Sequence, residues 1–263
     1  MKRVLAFIYG IICYLIFLAT FLYAIAFIAD IYVPKTIDSG SSGGLLTAII
    51  IDVLLLGVFA IQHSVMARPG FKKWWTKIVP KSVERSTYVL FSSLALILLF
   101  WQWRPLSDLV WNVQSDMWRT TLWTLSGLGW FIVLTGTYMI SHWHLFGIKQ
   151  VTDNLKGNEL SNPKFQINGY YHFIRHPLML GFIIAFWATP TMTIGHLLFA
   201  GASTGYILIA LQLEERDLIR FFGDKYLDYK ERVPGLIPIR FSKSESGKME
   251  EANAGNYKNR PSH

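Results

Sequence analysis

The residues whose types and spacing could do chemistry gather between Gly169 and Pro238. A polar, aromatic entry, Tyr170-Tyr171-His172-Phe173-Ile174-Arg175-His176, gives way at Pro177 to an apolar run. That run turns back at Pro190 to Gly195, and a second apolar run ends on Glu214-Glu215. Because the chain reverses, the cationic and imidazole mouth and the carboxylate mouth lie on one side and can face one ligand. Pro177 at the first helical position marks a helix start, and a helix N-terminus beside Arg175 and His176 suits a carboxylate or another anion. A carboxylate from the acidic pair can accept ribose hydroxyls or bind an ammonium group. Adjacent helical positions point about 100° apart, so at most one of the two acids faces the hairpin partner easily. The plain alternatives are a snorkelling arginine and an acidic solvent boundary; an arginine at membrane depth is costly enough to mark a site.

A second set lies upstream. His63 follows an apolar run that also contains Asp52, and Arg85 and Tyr88 sit three apart, which puts them on one helix face. The bland readings are a structural hydrogen bond for Asp52 and an interfacial ion pair plus belt tyrosine at Glu84-Arg85 and Tyr88. The spacing His142-x-His144 directs the two rings to different faces of a helix, and Pro177 disfavours helical geometry at His176, which weakens His172-x-x-x-His176 as a metal pair. Cys13 is the single cysteine, so a cysteine metal site and an internal disulfide are excluded, and no metal is expected.

The elements that must hold these groups are membrane helices. The 263 residues are 52% hydrophobic and 16% charged, with mean hydropathy +0.33, whereas soluble domains carry about 25% charged residues. Apolar runs cover Val4 to Ala29, Leu45 to Ala60, Thr87 to Trp103, Leu122 to Ile140, Leu178 to Ala188 and Thr193 to Leu213, with Asp52 the one charged residue inside them. Gly127, Gly129 and Gly136 in the fourth run allow close helix approach. Asp30 to Gly44 reads as a flexible polar loop, Arg104 to Arg119 as a short neutral loop and Phe146 to Gly169 as a polar connector.

Basic residues are rich at the N-terminus, in 68–85, in 149–175 and from Arg216 onward, and poor in 30–44 and 104–119. Six helices with both termini cytoplasmic satisfy the positive-inside rule at every loop. The net charge of +8 is then loop lysine and arginine, and nucleic acid is an unnecessary partner. After Arg216, Phe221, Phe222, Tyr226 and Tyr229 among Arg220, Lys225, Lys230 and Arg232 form a basic, aromatic amphipathic helix interrupted at Gly223.

The reading is an all-α polytopic bundle of five to six spans, with a C-terminal hairpin and a cytoplasmic amphipathic segment; the family resemblance given below implies that the membrane is the bacterial inner membrane. Residues 1–241 form one membrane domain, with 169–238 its cofactor-binding part, and 242–263 a polar, disordered tail. Leu178 to Ala188 makes only about 16 Å of helix, roughly half the hydrocarbon core. The simplest geometry lets Tyr170 to Pro177 dip below the surface, around a cavity at Arg175-His176.

Arg175-His176-Pro177, Gly181, Glu214-Glu215, Phe222-Gly223-x-x-Tyr226-x-x-Tyr229 and Val233-Pro234 with Pro238 resemble the C-terminal signature of the isoprenylcysteine carboxyl methyltransferase and phospholipid methyltransferase superfamily. Met179 stands where that pattern has tyrosine. His63-Ser64-Val65-Met66-Ala67-Arg68-Pro69, Trp74-Trp75, Glu84-Arg85-Ser86-Thr87-Tyr88 and Trp101-Gln102-Trp103-Arg104-Pro105 resemble the bacterial methanethiol S-methyltransferases of the NnrU-like branch.

The resemblance implies methyl transfer from S-adenosylmethionine to a small volatile thiol, methanethiol, giving dimethyl sulfide and S-adenosylhomocysteine. It implies cofactor binding by Tyr171, Arg175, His176, Pro177, Gly181, Glu214 and Glu215. It leaves His63, Arg85 with Tyr88, and His144 as candidates for thiol activation, since the thiolate is the nucleophile. Membrane lipid surrounds the protein, and the oligomeric state stays open. The competing readings are a prenyl or phospholipid acceptor on the same scaffold, a non-enzymatic membrane accessory protein of nitrogen-oxide metabolism, and an anion transporter. A transporter would more often show internal repeats, and none is visible.

Overall fold

The computed structural model describes residues 1–41, 44–160 and 165–237. The expected tail at 242–263, and Pro238 of the C-terminal signature, lie outside these residues. Among the described residues five helices are long and apolar enough to cross a membrane, and the chain is an integral membrane protein. They are α1 (Lys2–Ala29), α2 (Leu45–Ala67), α4 (Lys81–Gln102), α5 (Asp116–Ile140) and α9 (Ile194–Phe222), with short α3 (Pro69–Trp75) between α2 and α4. Several overrun the apolar runs. α2 continues through His63 to Ala67, α4 begins before Arg85, and α9 carries Glu214 and Glu215 well inside its length. Helix geometry tolerates charged residues where a span leaves the hydrocarbon, so the end of hydrophobicity is not the end of the helix.

The expected connector after α5 is largely helical. Ser141, with φ 155°, breaks the chain between α5 and α6 (His142–Leu145). Gly147, with φ 89°, precedes α7 (Ile148–Lys156), and a 3-10 turn covers Gly169–His172. Gly223, with φ 58°, separates α9 from α10 (Asp224–Arg232), the amphipathic segment expected at that place. The loop after α1 is tied down over the residues described: Ile37 N donates to the Phe27 carbonyl at 3.0 Å and Trp103 Nε1 to the Ile37 carbonyl at 3.0 Å.

The short helix α8 (Pro177–Trp187) packs most extensively on α5. The approach is backbone to backbone. A Cβ on Gly181 would lie 2.7 Å from the Gly129 carbonyl oxygen, and one on Gly129 would lie 2.7 Å from both Ala185 N and Gly181 O. Gly136 serves the same seam against Leu178, whereas a Cβ on Gly127 meets nothing within 4 Å, so Gly127 is not part of it. In lipid, where no hydrophobic gradient separates helix from tail, such small residues allow the close packing that holds helices together.

The missing length of α8 is made up at its far end. β1 (Leu109–Asn112), inside the segment expected to be a plain loop, pairs antiparallel with β2 (Thr191–Thr193). Val113 N donates to the Pro190 carbonyl, Trp111 Nε1 to the Thr189 carbonyl, and the Ser126 hydroxyl to the Ala185 carbonyl. Non-helical backbone within a span is stable only when its polar groups are paired inside the protein. At its near end, Gly169 abuts Met139 and Asn168 donates to the Met139 carbonyl, so the entry to α8 lies across the end of α5.

Apolar packing is unequal at the two ends. Phe27, Ile37, Leu99, Phe100, Trp103, Phe186 and Phe199 close the end where α1 and α4 finish. The opposite end has a smaller cluster of Met66, Tyr88 and Val89, with Phe17, Phe71, Trp75 and Phe146 packed against it, beside the polar groups described below. Gly181→Leu is expected to cost at least about 1–3 kcal/mol by overpacking and to lower the thermal midpoint in detergent, while Gly127→Leu leaves the midpoint unchanged.

Candidate functional site

Two polar groups sit at the less closed end. The first joins α8, α9 and α10. Arg175 donates to Glu215 Oε1 through Nε at 2.8 Å and through a terminal nitrogen at 2.7 Å. His176 Nε2 lies 3.0 Å from the same oxygen, and Lys230 Nζ lies 2.7 Å from Oε2. Arg175 also donates to the carbonyls of Lys230 and Val233. The main chain follows suit: Arg175 N donates to the Pro234 carbonyl at 2.9 Å and His176 N to the Gly235 carbonyl at 3.1 Å. The Tyr229 hydroxyl donates to the Tyr171 carbonyl at 2.6 Å.

This arrangement divides the two acids. Glu215, 13% exposed, is enclosed by Arg175, His176 and Lys230, whereas Glu214 is 46% exposed and lies 3.9 Å from His176 Nδ1.

 Glu215 is thus the one acid that faces the hairpin partner, and it is occupied there, while Glu214 keeps an exposed carboxylate. Glu214 is within electrostatic reach of Tyr88, Tyr171, Tyr206 and Tyr226. Burial, with Glu214 and Tyr229 adding to it, raises the Tyr171 hydroxyl pKa, and burial pushes Tyr229 up to about 12, so both stay protonated donors. The Tyr226 hydroxyl is buried with no hydrogen-bond partner among the described residues.

The second group joins α2 and α4. The Tyr88 hydroxyl lies 2.9 Å from His63 Nε2 and 3.1 Å from Nδ1, and Nδ1 lies 3.1 Å from the Ser92 hydroxyl. Ser92 donates its own hydrogen to the Tyr88 carbonyl at 3.0 Å, one helical turn back. Its oxygen must then accept from His63, which puts the imidazole proton on Nδ1 and leaves Nε2 as the acceptor for the Tyr88 hydroxyl. Phe59 stacks on the imidazole at 5.2 Å between centroids, and the Arg85 guanidinium lies 4.8 Å from the Tyr88 ring centre. Arg85 is itself held by the Leu145 carbonyl at 2.7 Å. From α9, the Tyr206 hydroxyl meets Ser64 at 3.1 Å, and Arg68 pairs with Asp217 at 2.8 Å, which ties α2 to the same helix as Glu214.

His63, Arg85 and Tyr88 thus form one group, and Arg175, His176 and Glu215 another. His144 Nδ1 lies 3.4 Å from Gln150 Nε2. His142 is buried between Tyr14 and Thr137, at 2.9 Å and 2.8 Å, and stacks on Tyr138. Burial lowers its pKa, which fits a neutral packing residue. Pro177 is buried at the first turn of α8, and Gly181 is occupied in the seam with α5. Arg175 already places four of its five N–H groups on Glu215 and two carbonyls, which makes it a fastener for the hairpin.

Residues 52–213 match the family model described as NnrU protein, well over half of the chain. This chain belongs to the NnrU family. The NnrU match takes in His63, Arg85, Tyr88, Arg175 and His176, and ends one residue before Glu214. Methanethiol S-methyltransferase 1 of Bradyrhizobium diazoefficiens is 55% identical over 240 residues, 91% of this chain and 84% of that protein. Methanethiol S-methyltransferase of Mycobacterium tuberculosis is 53% identical over 238 residues, 90% and 98%. A Nurim homolog of Drosophila pseudoobscura pseudoobscura is 31% identical over 176 residues, 65% and 70%. No solved structure matches.

Sequence reasoning passed over Ser92, Tyr206 and Lys230. Ser92 had a usable signal, a hydroxyl one turn after Tyr88 in an apolar run. Lys230 had none, because the turn at Gly223 alone returns it to Glu215. Glu215→Ala is expected to leave buried cations uncompensated and to cost about 3–5 kcal/mol, read as a lowered thermal midpoint in detergent. Glu214→Ala should shift that midpoint by no more than an exposed substitution does, about 0.5 kcal/mol.

Proposed function

We propose that this NnrU-family protein is an S-adenosylmethionine-dependent methyltransferase that converts methanethiol to dimethyl sulfide. The observation that carries the reading is the His63–Tyr88 pair, a base with a defined free nitrogen, at the same end of the bundle as Glu214 and His176. Support for the acceptor comes from the relatives named methanethiol S-methyltransferase at about half identity over most of the chain.

The residues present fit the cofactor. Its ribose hydroxyls and ammonium group call for a carboxylate with open lone pairs, which Glu214 has, and the orphaned Tyr226 hydroxyl offers a further polar contact. His176 Nδ1 and the Tyr171 hydroxyl complete the group of candidates. Arg175 and Glu215 act one step back, by fixing the position of His176 and the start of α8. When bound, S-adenosylmethionine supplies a methyl group on a sulfonium, already a strong electrophile.

The chain's own task is to orient the acceptor and take its proton. An alkanethiol is mostly protonated at neutral pH, and the thiolate is the nucleophile. The thiol proton passes to the Tyr88 oxygen as the Tyr88 proton passes to His63 Nε2. The proton then rests on His63 Nε2, and the thiolate so formed would be held at Tyr88, ready for the methyl group that the bound cofactor would supply. The Arg85 charge over the Tyr88 ring favours the electron-rich tyrosine during transfer, and Ser92 holds His63 in the required tautomer. Alignment of donor and acceptor can supply several kcal/mol more.

In this reading residues 1–241 are one catalytic unit, and both termini and the site face the cytoplasm, as the basic loops require. Membranes containing the protein, given S-adenosylmethionine and methanethiol, should release cofactor-dependent dimethyl sulfide into the headspace. Absence of dimethyl sulfide with S-adenosylhomocysteine still bound would move the acceptor to a lipid or prenyl group. Absence of both would favour an accessory protein.

His63→Ala and Tyr88→Phe are expected to lower kcat by about 10²–10⁴-fold, the usual worth of a general base. His176→Ala and Glu214→Ala should instead raise the apparent KM for S-adenosylmethionine. Wild-type kinetics in all four variants would place the site elsewhere.

A further inference from the structure

The membrane face opposite His63 and Arg175 carries charged side chains that methyl transfer does not use. Between the loop after α1 and the end of α4 lies a cavity of about 300 Å³, whose walls include Lys35, Ser39, Ser41, Trp103 and Arg104. The walls are built rather than loose. Lys35 Nζ donates to the Trp101 carbonyl at 2.7 Å, and the Tyr23 hydroxyl donates to the Lys35 carbonyl at 2.9 Å. Ser39 accepts from Thr36 N at 2.7 Å. Behind the cavity, fully buried Asp52 accepts from Arg104 N at 2.9 Å through Oδ1, while its Oδ2 has no partner among the described residues.

The charges do not balance. Lys35 and Arg104 stand close enough that, after burial, the Arg104 charge is the next cause lowering the Lys35 pKa, and Asp52 opposes it only in part. The cavity wall itself holds two half-buried cations and, among the described residues, no carboxylate: Asp52 stands behind it, and Asp30 and Asp38 of the same loop accept from the Thr36 and Thr193 hydroxyls. Such a site takes an oxyanion, which arginine and lysine recognise through charge-assisted hydrogen bonds. Its level is set by its neighbours. Trp101, Ile31 and Tyr32 are exposed beside it, at 69%, 43% and 99%, where three spans end. Aromatic residues at span ends mark the headgroup region.

We infer that this cavity binds a singly charged phosphate group, and that the group is the phosphodiester of an anionic phospholipid in the leaflet opposite the candidate active site. A phosphatidylglycerol headgroup supplies that charge without a cation of its own. The ammonium of phosphatidylcholine would face Lys35 and Arg104 at close range.

The test uses the full chain purified in neutral detergent. Phosphatidylglycerol, phosphatidylcholine and inorganic phosphate are added separately, with retention read by native mass spectrometry and stability by thermal midpoint. Phosphatidylglycerol is expected to be retained and to raise the midpoint, with little effect from phosphatidylcholine. Arg104→Gln, which keeps the main-chain bond to Asp52, should weaken phosphatidylglycerol binding about fivefold, and Lys35→Gln by a similar factor. The charge-preserving Arg104→Lys should keep most of it, and Lys73→Gln with Lys77→Gln on the other face should keep all of it. If inorganic phosphate reproduces the stabilisation and phosphatidylglycerol does not, the site takes a free anion and the lipid assignment is overturned. Equal phosphatidylglycerol binding by wild type and the Arg104→Gln variant overturns the site itself.

Discussion

The carboxylate of Glu215 is the interaction on which the C-terminal half depends. It gathers Arg175, His176 and Lys230 from segments that share no local sequence relationship. A carboxylate removed from water is costly unless its lone pairs are filled, and those three side chains fill them. The same contact fixes where α8 begins, which way His176 points and how α10 folds back after Gly223. It also sets Glu214 apart, since one turn of α9 cannot direct both acids inward. The open carboxylate of the site is thus a by-product of the closed one.

The α2–α4 group follows a related rule on a smaller scale. Ser92 has a single hydrogen, and the Tyr88 carbonyl takes it. That one commitment assigns the His63 proton and makes Nε2 the acceptor. Hydroxyl bonding to the preceding helical turn is common in membrane spans, yet here it decides the protonation of a neighbouring side chain. The apolar packing of Phe27, Phe100, Trp103 and Phe199 closes the opposite end, so the polar groups able to meet a ligand at the candidate site open toward one face only.

Much of this was legible in the sequence, and the limits have physical causes. The spans, the split at Gly223 and the pairing of Arg85 with Tyr88 follow from hydropathy and helical period. Gly129 and Gly136 were readable as close-approach positions, but Gly127 looked the same and faces open space, because sequence does not reveal which helix face meets a neighbour. The strand pair was hidden because residues 109–112 and 191–193 are short and eighty residues apart. The eleven-residue length of α8 was readable, but the strand pair that follows it was not. Arg175 was recognisable as an unusual residue, but only the fold shows that Glu215 and two carbonyls already occupy it.

The β1–β2 pair has a consequence for biogenesis. An eleven-residue helix is too short to be held in the bilayer by its own hydrophobicity, and the peptide groups that follow it need partners before they can leave water. Those partners reside in residues 108–113, which leave the ribosome long before α8 does. The last hairpin is therefore not an autonomous insertion unit. It enters a bundle that has already prepared a docking edge for it, and the order of synthesis supplies that edge first.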